Sequence, residues 1–93
     1  MRYGRIDDNH TAIVTALRKM PGCSVQSLAD CAGGVPDLLV GYGKNNYLLE
    51  IKDGTKPPSK RKLTPAQVDW HSRWAGEVHI VTCYEDALEV VTG

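Results

Sequence analysis

Three charged residues, Asp37, Glu50 and Lys52, border or interrupt the apolar, strand-like runs of VPDLLVGYGKNNYLLEIKDG at residues 35–54. Asp37 stands at the mouth of one apolar run, Glu50 lies near the end of the next, and Lys52 follows two residues later. If the runs form a hairpin turning at residues 43 and 44, Leu39 faces Leu48, Leu38 faces Leu49 and Asp37 faces Glu50. Directly opposed strand residues have Cβ atoms about 4.5–5.5 Å apart, and two carboxylates at that separation repel unless a proton or cation lies between them. A hard divalent cation, Mg²⁺ or Mn²⁺, suits the gap and keeps coordination sites for water and phosphate oxygens, which is the chemistry of phosphodiester hydrolysis. Because strand side chains alternate, Lys52 projects on the same face as Glu50, where it would orient the attacking water or stabilise charge developing in the transition state. Leu49 and Ile51 point the other way, to the core.

The elements that must hold these residues are legible in the flanking sequence. Asp7, Asp8 and Asn9 offer N-cap groups, and Ile13, Val14, Leu17 and Met20 recur at helical spacing, which predicts a helix from about Asn9 to Lys19 ended by Pro21 and Gly22. Residues 23–29, CSVQSLA, alternate as a strand. A Gly33-Gly34 link leads to Pro36 at a strand start, and residues 37–40 and 47–52 read as two strands around GYGKNN, whose glycines and asparagines tolerate positive φ. After a polar loop from Asp53 to Leu63, Thr64 is an N-cap and Pro65 a first helical residue, opening a helix that runs to near Gly76. Residues 77–83 form a last strand and residues 85–91 a short helix. The order αβββαβα implies an α/β (α+β) fold, a mixed sheet with helices packed on it.

Ninety-three residues suffice for one domain, 1–93, with a small core. A composition of 42% hydrophobic and 24% charged residues excludes disorder and fibrous classes. No run is long enough to span a membrane and MRYGRIDDNH has no apolar signal-peptide core, so the expected location is cytoplasmic. Three cysteines without a CxxC pair read as small buried residues rather than disulfides or a zinc site. Net charge is zero, but Lys52, Lys56, Lys60, Arg61 and Lys62 stand against a single acid in that segment, Asp53. With Lys44 at the hairpin tip, Lys56, Lys60, Arg61 and Lys62 could grip the phosphates of a duplex without reading sequence. The plainer alternative is a solvated loop.

Pro36-Asp37 followed by Glu50-Ile51-Lys52 after a short hairpin resembles the PD-(D/E)xK nuclease signature, and the element order is similar to that superfamily's restriction-endonuclease-like core. GGVPDLLVG, LLEIKDG and LTPAQ together resemble the virus-type replication-repair nuclease (VRR-NUC) group, in its phage-type single-domain form, which is similar to Holliday-junction resolvases. The resemblance implies a metal-dependent endonuclease of branched DNA in phage-type replication, recombination or repair in a bacterial cell. It implies Asp37, Glu50 and the Ile51 carbonyl as ligands of Mg²⁺ or Mn²⁺, Lys52 as the catalytic lysine, and Gln67 as the glutamine on the following helix. Such nucleases often carry a first-helix acid that reaches the metal through water; the corresponding positions hold Asn9 and His10.

Gln67 and His71 are four residues apart and share a helix face, so both could reach the hairpin site and touch a phosphate or the nucleophilic water, or else form the polar edge of an amphipathic helix. Trp70 and Trp74 are expected in the core or an interface, and His79 is assigned to structure. A chain this small would act on two strands or two arms as a homodimer. The alternative reading is a catalytically silent nucleic-acid-binding module of the same fold, working with a larger replication or packaging enzyme. Two opposed acids beside DNA phosphates argue against it, because without a cation they repel the ligand.

Overall fold

A computed structural model describes residues 8–93; Asp7, read above as a capping residue, lies outside them. The elements are α1 (Asp8–Arg18), β1 (Cys23–Ser27), β2 (Leu38–Tyr42), β3 (Asn45–Ile51), α2 (Pro65–Arg73), β4 (His79–Val81) and α3 (Tyr84–Thr92), with one 3₁₀ turn at Pro58–Lys60. This is the expected order. The four strands form one sheet in the order β1-β2-β3-β4, the first three antiparallel and β4 parallel to β3.

The alternation of side chains divides the sheet into two unlike faces. Leu38, Val40, Leu49, Ile51 and Val81 point to one face and are buried against Ile13 and Leu17 of α1 and Ala87 and Val91 of α3. Ile13 and Leu17 are one helical turn apart, as are Ala87 and Val91, so each helix turns a single apolar stripe to the sheet. Leu39, Leu48 and Glu50 occupy the opposite face, under α2. That helix has no buried residue of its own.

Elements end where local polar bonds outcompete the ladder. β1 stops at Ser27 rather than Ala29, because the Ser27 hydroxyl accepts the Ala29 N–H at 3.2 Å. β4 is only His79–Val81, shorter than the expected 77–83: the Thr82 N–H goes to the Asp86 carboxylate at 2.9 Å, which also takes the Thr82 hydroxyl at 2.9 Å. These bonds hold the Asp86 carboxyl below its ordinary range and fasten the first turn of α3 to the end of β4.

α2 ends at Arg73 instead of near Gly76, since Trp74 adopts an extended conformation (ψ 125°) and its indole lies over Gly76. Trp70 and Trp74 stack at 4.8 Å with ring planes 16° apart. They do not join the core, which is on the other side of the sheet; they line an open apolar groove of about 440 Å³ with Leu28, Val35, Leu39 and Leu48. Cys23 and Cys83 are half-buried and Cys31 is exposed, a departure from three buried thiols, and all three are free. Among the described residues no helix is long and apolar enough to cross a membrane.

Candidate active site

The hairpin sets the site. Gly43 (φ 59°) and Lys44 (φ 67°) form its two-residue turn, both left-handed as the twist of a tight hairpin requires. The asparagines of GYGKNN, expected to share that duty, begin β3 instead. The register pairs Leu38 with Leu49 and Leu39 with Leu48, as the sequence implies. Asp37 sits one residue before β2. Its carboxylate accepts the Ile51 N–H at 2.7 Å while its own carbonyl accepts the Leu28 N–H at 2.8 Å. A strand residue's N–H and C=O point to the same lateral side, so the Ile51 carbonyl opens towards Asp37.

Glu50 is only 1% exposed. Its Oε2 accepts from Gln67 Nε2 at 3.0 Å and lies 4.0 Å from Lys52 Nζ. Its Oε1 is buried without a hydrogen-bond partner, 3.6 Å from His71 Nε2, which also lacks one. Burial, then the neighbouring Asp37 carboxyl, push the Glu50 pKa up to about 8, with the Lys52 charge pulling the other way. His71 is held below its ordinary value by burial and by the Lys52 charge.

Gln67 joins these groups to the start of α2. Its Oε1 accepts from Lys52 Nζ and from the Thr64 N–H, each at 2.9 Å, while its N–H donates to the Thr64 hydroxyl at 3.2 Å. This is a capping box, with Pro65 in the first turn where a missing donor costs nothing. The residue that caps the helix therefore also orients the carboxylate and the lysine. Gly34 (φ +86°) lets the strand-entry loop touch this helix start, since a Cβ there would collide with the Ala66 carbonyl. The Gly-Gly pair before VPD signals a turn, yet nothing in the sequence indicates its contact with residue 66.

Asn9 reaches the same region from beneath. Its Nδ2 donates to the carbonyls of Lys52 (2.9 Å) and Thr82 (3.0 Å), the residues that follow β3 and β4. Both acceptors are carbonyls, so the amide can point only one way. Its Oδ1 is buried and without a partner. Asn9 thus touches the backbone at Lys52, not the carboxylates. His10 is buried on α1 with an unpartnered Nε2, and among the described residues no hydrogen bond or ion pair joins it to Asp37, Glu50 or Lys52.

Lys44, Lys56, Lys60 and Lys62 are exposed, whereas Arg61 is half-buried. His79 lies 3.2 Å from Glu77, consistent with its structural assignment. Among the described residues no three His, Cys, Asp or Glu side chains form a group able to hold a metal ion by themselves. The donors fit a cation that keeps much of its shell for water and phosphate: a buried carboxylate oxygen with no partner, a second carboxylate beside it, and a backbone carbonyl.

Comparison with protein-family models and with curated protein sequences finds no match. A solved structure described as a VRR_NUC domain is similar, with a TM-score of 0.58 over 87% of this chain and 87% of its own, at 22% sequence identity. The sheet order, the flanking helices and this likeness together give the chain the VRR_NUC fold, of the restriction-endonuclease-like kind.

Proposed function

We propose that the chain is a metal-dependent endodeoxyribonuclease of the PD-(D/E)xK type, acting on branched or junction DNA in phage-type replication, recombination or repair. The observation that carries the reading is Glu50: a carboxylate buried to 1% exposure, beside Asp37, with one oxygen left unpartnered. Burial and the adjacent Asp37 carboxyl make Glu50 costly to ionise, a cost that a cation held between the two carboxylates would offset. The likeness to a VRR_NUC domain supports the same reading.

Asp37, Glu50 and the Ile51 carbonyl would hold Mg²⁺ or Mn²⁺. When bound, the ion polarises the scissile phosphate and lowers the pKa of the attacking water. Gln67 fixes the Glu50 carboxylate from one side and the Lys52 ammonium from the other. Lys52 keeps further N–H donors for a phosphate oxygen or the incoming water. Lys44, Lys56, Lys60, Arg61 and Lys62 would hold the duplex by its phosphates, and a homodimer would place two sites on one substrate.

The test is cleavage of labelled four-way junction, flap and linear duplex DNA with Mg²⁺ or Mn²⁺. Lys52→Ala is expected to lower the rate about 10²–10³-fold while circular dichroism stays unchanged. The silent binding module draws support from Asn9, whose amide is committed to backbone where a first-helix acid would be expected. DNA binding without cutting of any substrate, by wild type and variant alike, would favour that module and sink the nuclease.

A further inference from the structure

The two tryptophans of the chain, Trp70 and Trp74, stack at 4.8 Å on the open face of the sheet, and Trp74 is 48% exposed. A chain with so small a core gains most by burying its indoles, yet these two are left out of it. They line the groove of about 440 Å³ floored by Leu39 and Leu48, a volume within the range of small-ligand sites, about 300–1,000 Å³. Two polar side chains join the lining. The Asn46 amide makes no hydrogen bond among the described residues, and Glu77, 85% exposed, holds its carboxylate 3.2 Å from His79.

We infer that this groove binds an unpaired nucleobase of the nucleic-acid substrate, stacked on the indole pair, with the phosphates outside. The inference rests on the nuclease reading and deepens it by naming a contact to a base and the substrate class this contact selects: strands with unpaired nucleotides beside the scissile bond. Indole takes the face of any base, Asn46 offers a donor and an acceptor to its edge, and Glu77 accepts from an exocyclic amine.

Position and charge select this occupant. Leu48 and Glu50 lie two residues apart on one face of β3, a rise of about 6.6 Å, so the groove floor adjoins the candidate site. α2 walls both, since Gln67 and His71 stand at Glu50 and the Trp70 ring meets the His71 ring edge-on at 6.2 Å. From Lys44 in the hairpin turn, β3 runs past Asn46, Leu48 and Glu50 to Lys52, so a cation stands at each end of the apolar stretch. A strand laid along β3 would meet these cations with its phosphates and the groove with a base between them. Basic tracks interrupted by aromatic platforms are how proteins hold single strands.

Because both tryptophans lie in the groove, intrinsic fluorescence reports on it directly. The probes are a short deoxycytidine oligonucleotide and an abasic strand of equal length, titrated into the chain with EDTA present so that neither is cut. The oligonucleotide is expected to quench the emission and to bind about 10–100-fold more tightly than the abasic strand. Trp74→Leu, which keeps the apolar surface, is expected to lose about that factor, and Trp74→Tyr to retain most of it. The comparison of the two strands on wild type gives the answer alone should a variant misfold. Equal affinity for both strands with unchanged emission overturns the inference and leaves phosphate binding and the nuclease reading standing. A sedimentation mass that falls from dimer to monomer in Trp74→Leu, with oligonucleotide affinity unchanged, overturns it in favour of a contact between copies of the chain. Base-dependent quenching without metal-dependent cleavage of any substrate upholds the groove and sinks the nuclease.

Discussion

Glu50 concentrates the chemistry of the molecule into one titration. Its pKa in the folded chain is about 8 against an ordinary 4.5, through burial first and the Asp37 carboxyl second. The folded state therefore takes up a proton in the window between those values, and stability of the metal-free protein falls as pH rises through it. Glu50→Gln keeps the Gln67 contact while removing the charge. In thermal melts without metal, its Tm is expected to change much less than that of wild type between pH 5 and pH 8. Millimolar Mn²⁺ at pH 8 should raise the wild-type Tm by mass action and leave Glu50→Gln unmoved. A wild-type melting curve independent of pH over that range would show that Glu50 is not held protonated by its surroundings.

At the scale of elements, two contacts decide where the side chains of the candidate site sit. Asn9 ties the ends of the parallel pair β3 and β4 to α1 through the Lys52 and Thr82 carbonyls. Asn9→Ala is expected to cost about 1–3 kcal/mol for the lost bonds. Asn9→Asp should cost more, since a carboxylate would face two carbonyl oxygens with no donor. Chemical denaturation gives the ranking, and an aspartate that matched or exceeded wild-type stability would refute this account of the bonds. Gly34 makes the second contact. With φ at +86° and the Ala66 carbonyl in the way, Gly34→Ala has to push the start of α2 off the strand-entry loop. A loss of about 2–4 kcal/mol is expected from the strained backbone and the collision together, measured by denaturation, with a drop in cleavage as Gln67 moves.

The whole molecule limits what one copy can do. Its principal extents are 33 × 29 × 24 Å, so a single chain covers about one turn of duplex. Cutting two strands or bridging two arms calls for two copies, and sedimentation at micromolar concentration is expected to give twice the 10.2 kDa chain mass. A monomer with full activity would rule the dimer out. Binding through exposed lysines should weaken with salt, and the Lys60→Ala, Lys62→Ala double variant is expected to reduce the slope of log K against log salt by about two. An unchanged slope would place the duplex on another surface.

Much of this arrangement is local enough to be written in the sequence. The hairpin register follows from a two-residue turn and period-two alternation, so the opposition of Asp37 and Glu50 is contained in the residues between them. Thr64, Pro65 and Gln67 likewise announce a capped helix within four residues. The tertiary structure alone decides which face of the sheet that helix covers. Only once α2 lies over Glu50 does the capping Gln67 become its hydrogen-bond partner, His71 its neighbour, and the tryptophan pair a groove rather than a core. Asn9 shows the same limit from the other side. Its spacing in α1 gives no hint of carbonyls 43 and 73 residues away, because side-chain bonds between distant segments depend on how layers stack, which no local periodicity encodes.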